Sequence, residues 1–377
     1  MDERGEPEPV CRACRGAAGD VVLDLGHQPA ADHFPPAQVL PPDPVYPLRM
    51  WLCATCGLAQ LTADPTVPEE ARGAEPAALV AQAVDAVARV SDAGLVEPGG
   101  RVTEYGSPHG GSWLDLLAAR GLTIAGDREP CDVVVDSFGM MHAADQAAAL
   151  AERAARLAPG GVLLLQYHPL ETIVRLGQWN SLRHGHFAYY STSALVGMLG
   201  REGLAPRAAW QFDLYGGTVL LAATWSGEDA RPDPAVESLL SAGLAAGVAD
   251  HRRLGSLQRA ADIQSAHLHD WLRAEKAAGR TVVGYGAASR AVVLLVRADV
   301  DRFLLEAVVD ISAAKRGRRM PGTDIPIVGP DELAARRPDV VLLFLPDLLA
   351  EVRAAFGWVE ASGARWVDAA TLGNGRT

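Results

Sequence analysis

The chain has 377 residues, 49% of them hydrophobic and 21% charged, with a formal charge of −12. This is the balance of a globular protein of two or three domains, and the acidity excludes a nucleic-acid scaffold or a binder of anionic membranes. No apolar run approaches the ~18–20 residues of a membrane span. The opening MDERGEPEPV lacks the basic and apolar regions of a signal peptide, so a cytoplasmic protein with reduced thiols is expected.

Four of the five cysteines form two knuckles, Cys11-x-x-Cys14 and Cys53-x-x-Cys56. Two such pairs can close a tetrahedral zinc site, and four sulfur ligands leave no open position, so the metal reads as structural. The alternative, two disulfides, needs an oxidising compartment. The long gap between the knuckles requires the intervening loops to fold back. Cys131, alone ahead of an apolar strand, reads as a small buried residue.

Residues 1–70 are turn-rich and proline-rich, as suits a metal-held module. The pattern AALVAQAVDAVARV predicts an amphipathic helix between about residues 76 and 97. Strand 101–106, helix 111–121, strands 122–127 and 131–138, helix 146–158 and strand 160–167 follow. Strands alternating with helices predict a parallel sheet covered on both faces. Residues 207–225 read as an antiparallel pair closing it, and 234–278 as helical throughout. A second α/β unit starts at TVVGYGAASRAVVLLV. The expected organisation is a zinc-binding module (1–70), a methyltransferase-like α/β domain (71–228), a helical connector (229–278) and a C-terminal Rossmann-like domain (279–377).

Two glycine-rich turns, EYGSPHGGSW (104–113) and VVGYGAASR (282–290), each run from a strand into a helix. Such turns bring backbone N–H groups to a ligand, although glycine also serves tight packing. In the second turn Arg290 could meet a phosphate or lie solvated. In open α/β sheets ligands bind beyond the carboxyl ends of the strands. His142, Tyr167 and His168 follow strand ends there, and the segment SLRHGHFAYYSTSAL (181–195) supplies two more histidines. One such histidine alone would more often be a hydrogen-bonded surface residue; several converging point to acid/base chemistry. His184 and His186, two apart, splay too widely for a shared metal.

Taken together, CRAC…LDLGHQP…YPLRMWLCATCGLAQL, APGGVLLLQ, HGHFAYYSTSALVGMLGREGL, LYGGTVLL, VVGYGAASR and VVDISAAKRGRRMPGTDIPIVGPDEL resemble the nucleotide-sugar C-methyltransferases of deoxysugar and antibiotic pathways. The resemblance covers nearly the whole chain. It implies a zinc-binding domain, a domain for S-adenosylmethionine (SAM) and a C-terminal Rossmann-like domain. It also implies a base that removes the proton beside the ketone of a 4-keto sugar, after which the enolate takes a methyl group. The catalytic histidine of the family falls on His186 and a second histidine on His142.

The departures bear on function. Gly185 stands where the family has glutamate, Arg183 where it has tyrosine, and Tyr215-Gly216-Gly217 where it has His-Gly-Gly. The SAM loop appears as Gly106-Ser107-Pro108-His109-Gly110, and the tyrosine-rich lid as PEEARGAEPAALVAQA, without an aromatic. Only residues 107–130 separate two sheet strands. A helix of ~11–12 residues and a strand of ~5–6 use up most of that length, so a helix–strand unit that walls the adenosine pocket is expected to be missing.

The catalytic candidates are therefore His186, His142, Arg183, His184, Tyr167 and Tyr215, with Arg183 as an enolate-stabilising cation. Gly106, Gly110 and Asp127 are candidates for a cofactor. His168, Tyr189, Tyr190, Gly216, Gly217, Tyr285 and Arg290 are candidates for substrate contacts. With the donor pocket trimmed, SAM is doubtful. The leading expectation is a SAM-independent natural-product tailoring enzyme that deprotonates beside a carbonyl and then isomerises, eliminates or cyclises. The alternatives are a SAM-dependent C-methyltransferase of a nucleotide-linked 4-keto-deoxysugar and a non-catalytic partner of a pathway enzyme. No nucleic-acid or membrane partner is expected.

Overall fold

A computed structural model describes residues 8–66, 77–106, 111–227 and 232–372. The N-terminal module is more regular than its composition predicts. Strands β1 (Gly19–Pro29), β2 (Val45–Cys53) and β3 (Ala59–Leu61) form an antiparallel sheet in chain order. The second cysteine knuckle makes the turn from β2 to β3. There the Gly57 amide donates to the Cys53 carbonyl at 2.9 Å and Gly57 takes a φ of +72°, which favours glycine.

The middle domain is a six-stranded sheet. Its strands are β4 (Arg101–Tyr105), β5 (Thr123–Ile124), β6 (Cys131–Ser137), β7 (Leu157–Tyr167), β9 (Leu204–Phe212) and β10 (Thr218–Trp225), in the order β5-β4-β6-β7-β10-β9. β4 to β7 run parallel, and β10 runs antiparallel to both of its neighbours. The continuous valines and leucines of β6 and β7 fit burial on two faces. On one face α1 (Ala77–Asp92) and α2 (Leu114–Ala118) set Val87, Val90 and Leu117 against Val102, Val133 and Leu164. On the other, α3 (Gln146–Ala155), α5 (Thr192–Arg201) and α6 (Pro234–Ala246) pack Leu150, Met198 and Val236 against Val134 and Leu163. Helix α4 (Leu170–Leu176) follows β7.

Two expected elements are much shorter than their sequence patterns. The helix read over 111–121 is five residues long, and the strand read over 122–127 is two. Among the described residues the sheet ends at β5, in line with the missing helix–strand unit.

The connector breaks where Gly247 adopts a left-handed cap. It continues as α7 (His251–Leu254) and the long α8 (Ser256–Ala277). The C-terminal domain is a parallel sheet in the order β13-β12-β11-β14-β15, formed by β11 (Val282–Tyr285), β12 (Val308–Val309), β13 (Ile327–Val328), β14 (Val340–Leu343) and β15 (Arg365–Asp368). Helix α9 (Ser289–Arg297) follows the glycine-rich turn after β11.

Three features fasten the zinc module to the rest. Its apolar face, with Leu23, Leu25 and Leu48, shares one core with Leu257 and Leu268 of α8 and Leu294 of α9. The fully buried Arg319 donates to both carboxylate oxygens of Asp43 (2.7 and 2.5 Å). The third link was unforeseen in the sequence. The histidine segment forms β8 (Ala188–Tyr189), which pairs with β3 as the fourth strand of the zinc module's sheet. Among the described residues no helix is long and apolar enough to cross a membrane.

Candidate functional site

The knuckles converge as their spacing predicts. One Sγ atom from each of Cys11, Cys14, Cys53 and Cys56 lies within 4.8 Å of the others, with Cys11–Cys56 at 3.5 Å and Cys14–Cys53 at 3.6 Å. These are edges of the size that a tetrahedron of ~2.3 Å zinc–sulfur bonds requires. The thiols are not paired as disulfides. The group fits one zinc ion with every position filled, a structural centre.

The second site lies where the three domains meet, and its centre is the segment after α4. Gly185 has a φ of +82° and reverses the chain so that its two flanking histidines point apart. The Gly185 peptide is held on both sides. Its amide donates to Asp64 Oδ2 of the zinc module (2.5 Å), and its carbonyl accepts from His142 Nδ1 (2.9 Å). The His142 and His186 rings meet edge to face at 4.6 Å between centroids.

Arg183 is the next layer. Its Nε donates to His186 Nε2 at 2.8 Å, and its guanidinium also reaches Ser289 Oγ at the start of α9. Asp32 Oδ1 of the zinc module lies 3.7 Å away. Tyr189, buried among the interdomain core, fixes this arginine from below by accepting the Arg183 amide on its hydroxyl (3.0 Å).

One residue further along α9, Arg290 lies under the Tyr215 ring at 5.4 Å and reaches His168 Nδ1 at 3.5 Å. Among the described residues it has no carboxylate within ion-pair distance. Burial and the neighbouring Arg183 cation both disfavour its charge, so an arriving anion would relieve it. His168 is neutral: burial, then the Arg290 charge, push its pKa down to about 3. Beside this pair opens a cleft of about 320 Å³ between the α4 end, α8 and the C-terminal domain, lined by Gln178, Asn180, Arg259, Arg290 and Phe344 among others. Tyr215 holds a left-handed φ of +57° and Gly216 and Gly217 follow at +79° and +133°. Glycine is favoured there by the positive φ, and a Cβ on Gly216 would also press on the end of the Leu176 side chain.

Five candidates are buried, with their polar atoms or rings engaged inside the protein. His184 is buried against the zinc module, with Nε2 donating to the Pro47 carbonyl (3.1 Å), and burial lowers its pKa. Tyr167 is buried with its hydroxyl on Thr192 Oγ1 (2.9 Å), and burial raises its pKa. Tyr190 is buried beside it and donates to Gln146. Tyr285 lies in the C-terminal core under Phe356 and Trp366, its pKa pushed up by burial to about 12. Tyr189 touches Arg183 instead of a ligand. Tyr167, Tyr189 and Tyr285 lie on strands, Tyr190 directly follows β8 and His184 sits in a turn, all at positions that the core buries.

At the same carboxyl edge of the sheet, Gly106 lies open after β4 and Asp127 is exposed after β5. Gly110 lies outside the described residues. Sequence reasoning missed Asp32, Asp64 and Ser289. The first two carry no local motif, and only the folding of the zinc module onto the histidine segment brings them in.

Known families match the chain in the same order as its three sheets. Residues 11–70 match the family described as "Putative zinc binding domain", 77–209 a methyltransferase domain, and 213–369 the C-methyltransferase C-terminal domain. The chain belongs to the C-methyltransferase family. Within that family it is similar to the C-methyltransferase NovU of Streptomyces niveus, 27% identical over 198 residues, or 52% of this chain and 47% of the relative. This C-methyltransferase-family chain thus matches about half the length of that curated relative. Solved structures resemble the chain more distantly. The magnesium protoporphyrin IX methyltransferase of Synechocystis PCC 6803 with bound SAM aligns at 15% identity over 38% of this chain and 79% of that one, TM-score 0.29. The mitomycin 7-O-methyltransferase MmcR aligns at 16% over 39% and 54%, TM-score 0.29. At those scores neither bears on the cofactor or substrate of this chain.

Proposed function

We propose that this protein is a C-methyltransferase that alkylates a carbon beside the carbonyl of a nucleotide-linked keto sugar. The observation that carries the reading is the paired His142 and His186 next to the Arg183 guanidinium. A ring nitrogen of the pair takes the proton from the carbon, and the cation stabilises the enolate oxygen. Arg290 and the first turn of α9 suit the phosphates of such a substrate, and the adjoining cleft suits its nucleoside. The name of the NovU relative supports carbon methylation.

The residues that would hold SAM are Gly106, whose backbone a ligand can approach closely, and Asp127, whose exposed carboxylate suits ribose hydroxyls. This donor set fits the ribose end, while the described residues build no layer beyond β5 to cover the base. When bound, SAM supplies the electrophilic methyl group. The two-residue β5 favours a second reading, in which the same base works without a methyl donor and isomerises, eliminates or cyclises its substrate.

Calorimetric titration of the full zinc-loaded chain with SAM and with S-adenosylhomocysteine tests the first reading. Saturable binding, and a methylated product from a thymidine-diphosphate 4-keto-6-deoxyhexose, are expected. Absence of binding at millimolar ligand overturns methyl transfer and leaves the proton chemistry.

A further inference from the structure

Two aromatic residues at the carboxyl edge of the middle sheet hold a backbone conformation that bulky side chains rarely take. Phe138, just after β6, has a φ of +59°, and Tyr215, in the turn before β10, has one of +57°. The left-handed region is strained for both residue types. Phe138 recovers little of that cost by packing, because it is half-exposed and belongs to none of the hydrophobic cores of the described residues. Its conformation is imposed by its surroundings. The Phe138 amide donates to the Gln166 carbonyl of β7 (3.1 Å), and the next two amides, of Gly139 and Met140, both donate to Asp136 Oδ1 (2.9 Å each). Asp136 is buried and accepts in turn from Arg153 Nε at 2.6 Å. No side chain fits at 139, where a Cβ would lie 2.8 Å from the Tyr105 carbonyl oxygen and 3.3 Å from that of Gly106. Strain held in place by so many fixed contacts marks a residue whose direction matters.

That direction is toward Tyr215. The two rings meet edge to face, 6.3 Å between centroids at 69°, and bracket the carboxyl end of β7, which lies between β6 and β10 in the sheet. Tyr215 in turn carries the Arg290 guanidinium 5.4 Å from its centroid. Gly106, Phe138, Tyr215 and Arg290 therefore follow one another along the edge, with the donor candidate at one end and the phosphate candidate at the other. We propose that Phe138 and Tyr215 are specificity-determining residues that seat the sugar ring of the substrate between its diphosphate on Arg290 and the methyl donor beside Gly106. The assignment rests on the nucleotide-sugar reading above. In such a substrate the sugar follows directly from the diphosphate, so an anion on Arg290 brings the ring onto the aromatic pair. Aromatic side chains offer it a large apolar contact of fixed shape at little cost in side-chain entropy.

Calorimetric titration of the full zinc-loaded chain with thymidine diphosphate, and separately with thymidine-diphosphate 4-keto-6-deoxyglucose, isolates the contribution of the sugar. Phe138→Asn should weaken the sugar nucleotide about tenfold and thymidine diphosphate by less than about twofold. Tyr215→Leu should weaken both, since it also takes the ring from Arg290. Asparagine and glycine are at home at positive φ, so Phe138→Asn and Phe138→Gly should unfold at urea concentrations no lower than the wild type. Equal losses for the two ligands in Phe138→Asn, or no loss, overturn the seat alone. Urea midpoints well below the wild type in both Phe138 variants overturn it too, because the strained ring would then serve the fold. A wild type that binds neither nucleotide at millimolar ligand overturns the nucleotide-sugar reading, and the seat with it.

Discussion

Gly185 and Arg290 show how single residues set this site. At 185 the positive φ is open to glycine and strained for other residues by ~1–2 kcal/mol, and nothing within 4 Å would obstruct a Cβ. The requirement there is conformational. At 290 the requirement is electrostatic, and it reaches His168 next door. The folded pKa of about 3 lies below the usual histidine value of 6.5. Between those two values the unfolded chain binds a proton that the folded chain refuses, so stability falls as the pH drops from 6.5 toward 3. Urea midpoints measured across that window should decline by up to one proton's worth of slope, and His168→Gln should remove that share. An unchanged slope would mean that His168 is charged in the folded protein. The sequence marks Arg290 and His168 as candidates by their place after strands, but their mutual contact is a tertiary fact.

At the scale of elements, β8 joins chemistry to the zinc centre. Residues 188 and 189 pair with β3, and β3 follows directly from the second knuckle. A closed four-thiolate zinc site supplies folding free energy to its module outright. Chelation should therefore loosen the histidine segment along with the module. Amide exchange at residues 183–189 should accelerate with that of β2 and β3 when the metal is stripped, and proton-exchange activity should be lost. Retention of slow exchange in 183–189 would show that the middle domain alone holds the site. The apolar runs of β6 and β7, and β4 ahead of its glycine-rich turn, were legible as strands. Two-residue β8 was not, and β5 was read too long, because such short strands are fixed by their neighbours and carry no period of their own.

At the scale of the whole molecule, a buried ion pair adds to the shared core and the β3–β8 pairing that join the zinc module to the rest. Arg319 of the C-terminal domain is fully buried and bonded by Asp43, whose Oδ2 also accepts the Gly322 amide at 2.7 Å. Removing one partner of a buried pair strands the other charge, at a cost of about 3–5 kcal/mol. Asp43→Ala should lower the urea midpoint accordingly, with exposure of the zinc module to proteolysis. Replacing Asp43 and Arg319 together by leucine and methionine should cost less than the single change. An equal cost would show that the pair contributes only packing.

By itself the sequence determined the zinc ligands, because four thiols at knuckle spacing have few other uses. It also determined both α/β domains, because period and length suffice for long strands and helices, and the shortened donor edge, because 24 residues cannot hold a full unit. Only the tertiary structure placed the candidates relative to one another. Burial put Tyr167, Tyr189, Tyr190, Tyr285 and His184 in the packed interior and left Tyr215 at the surface of the site. The docking of three domains brought Asp32, Asp64 and Ser289 to Arg183 and Gly185, residues far apart in the chain whose contacts no local pattern encodes.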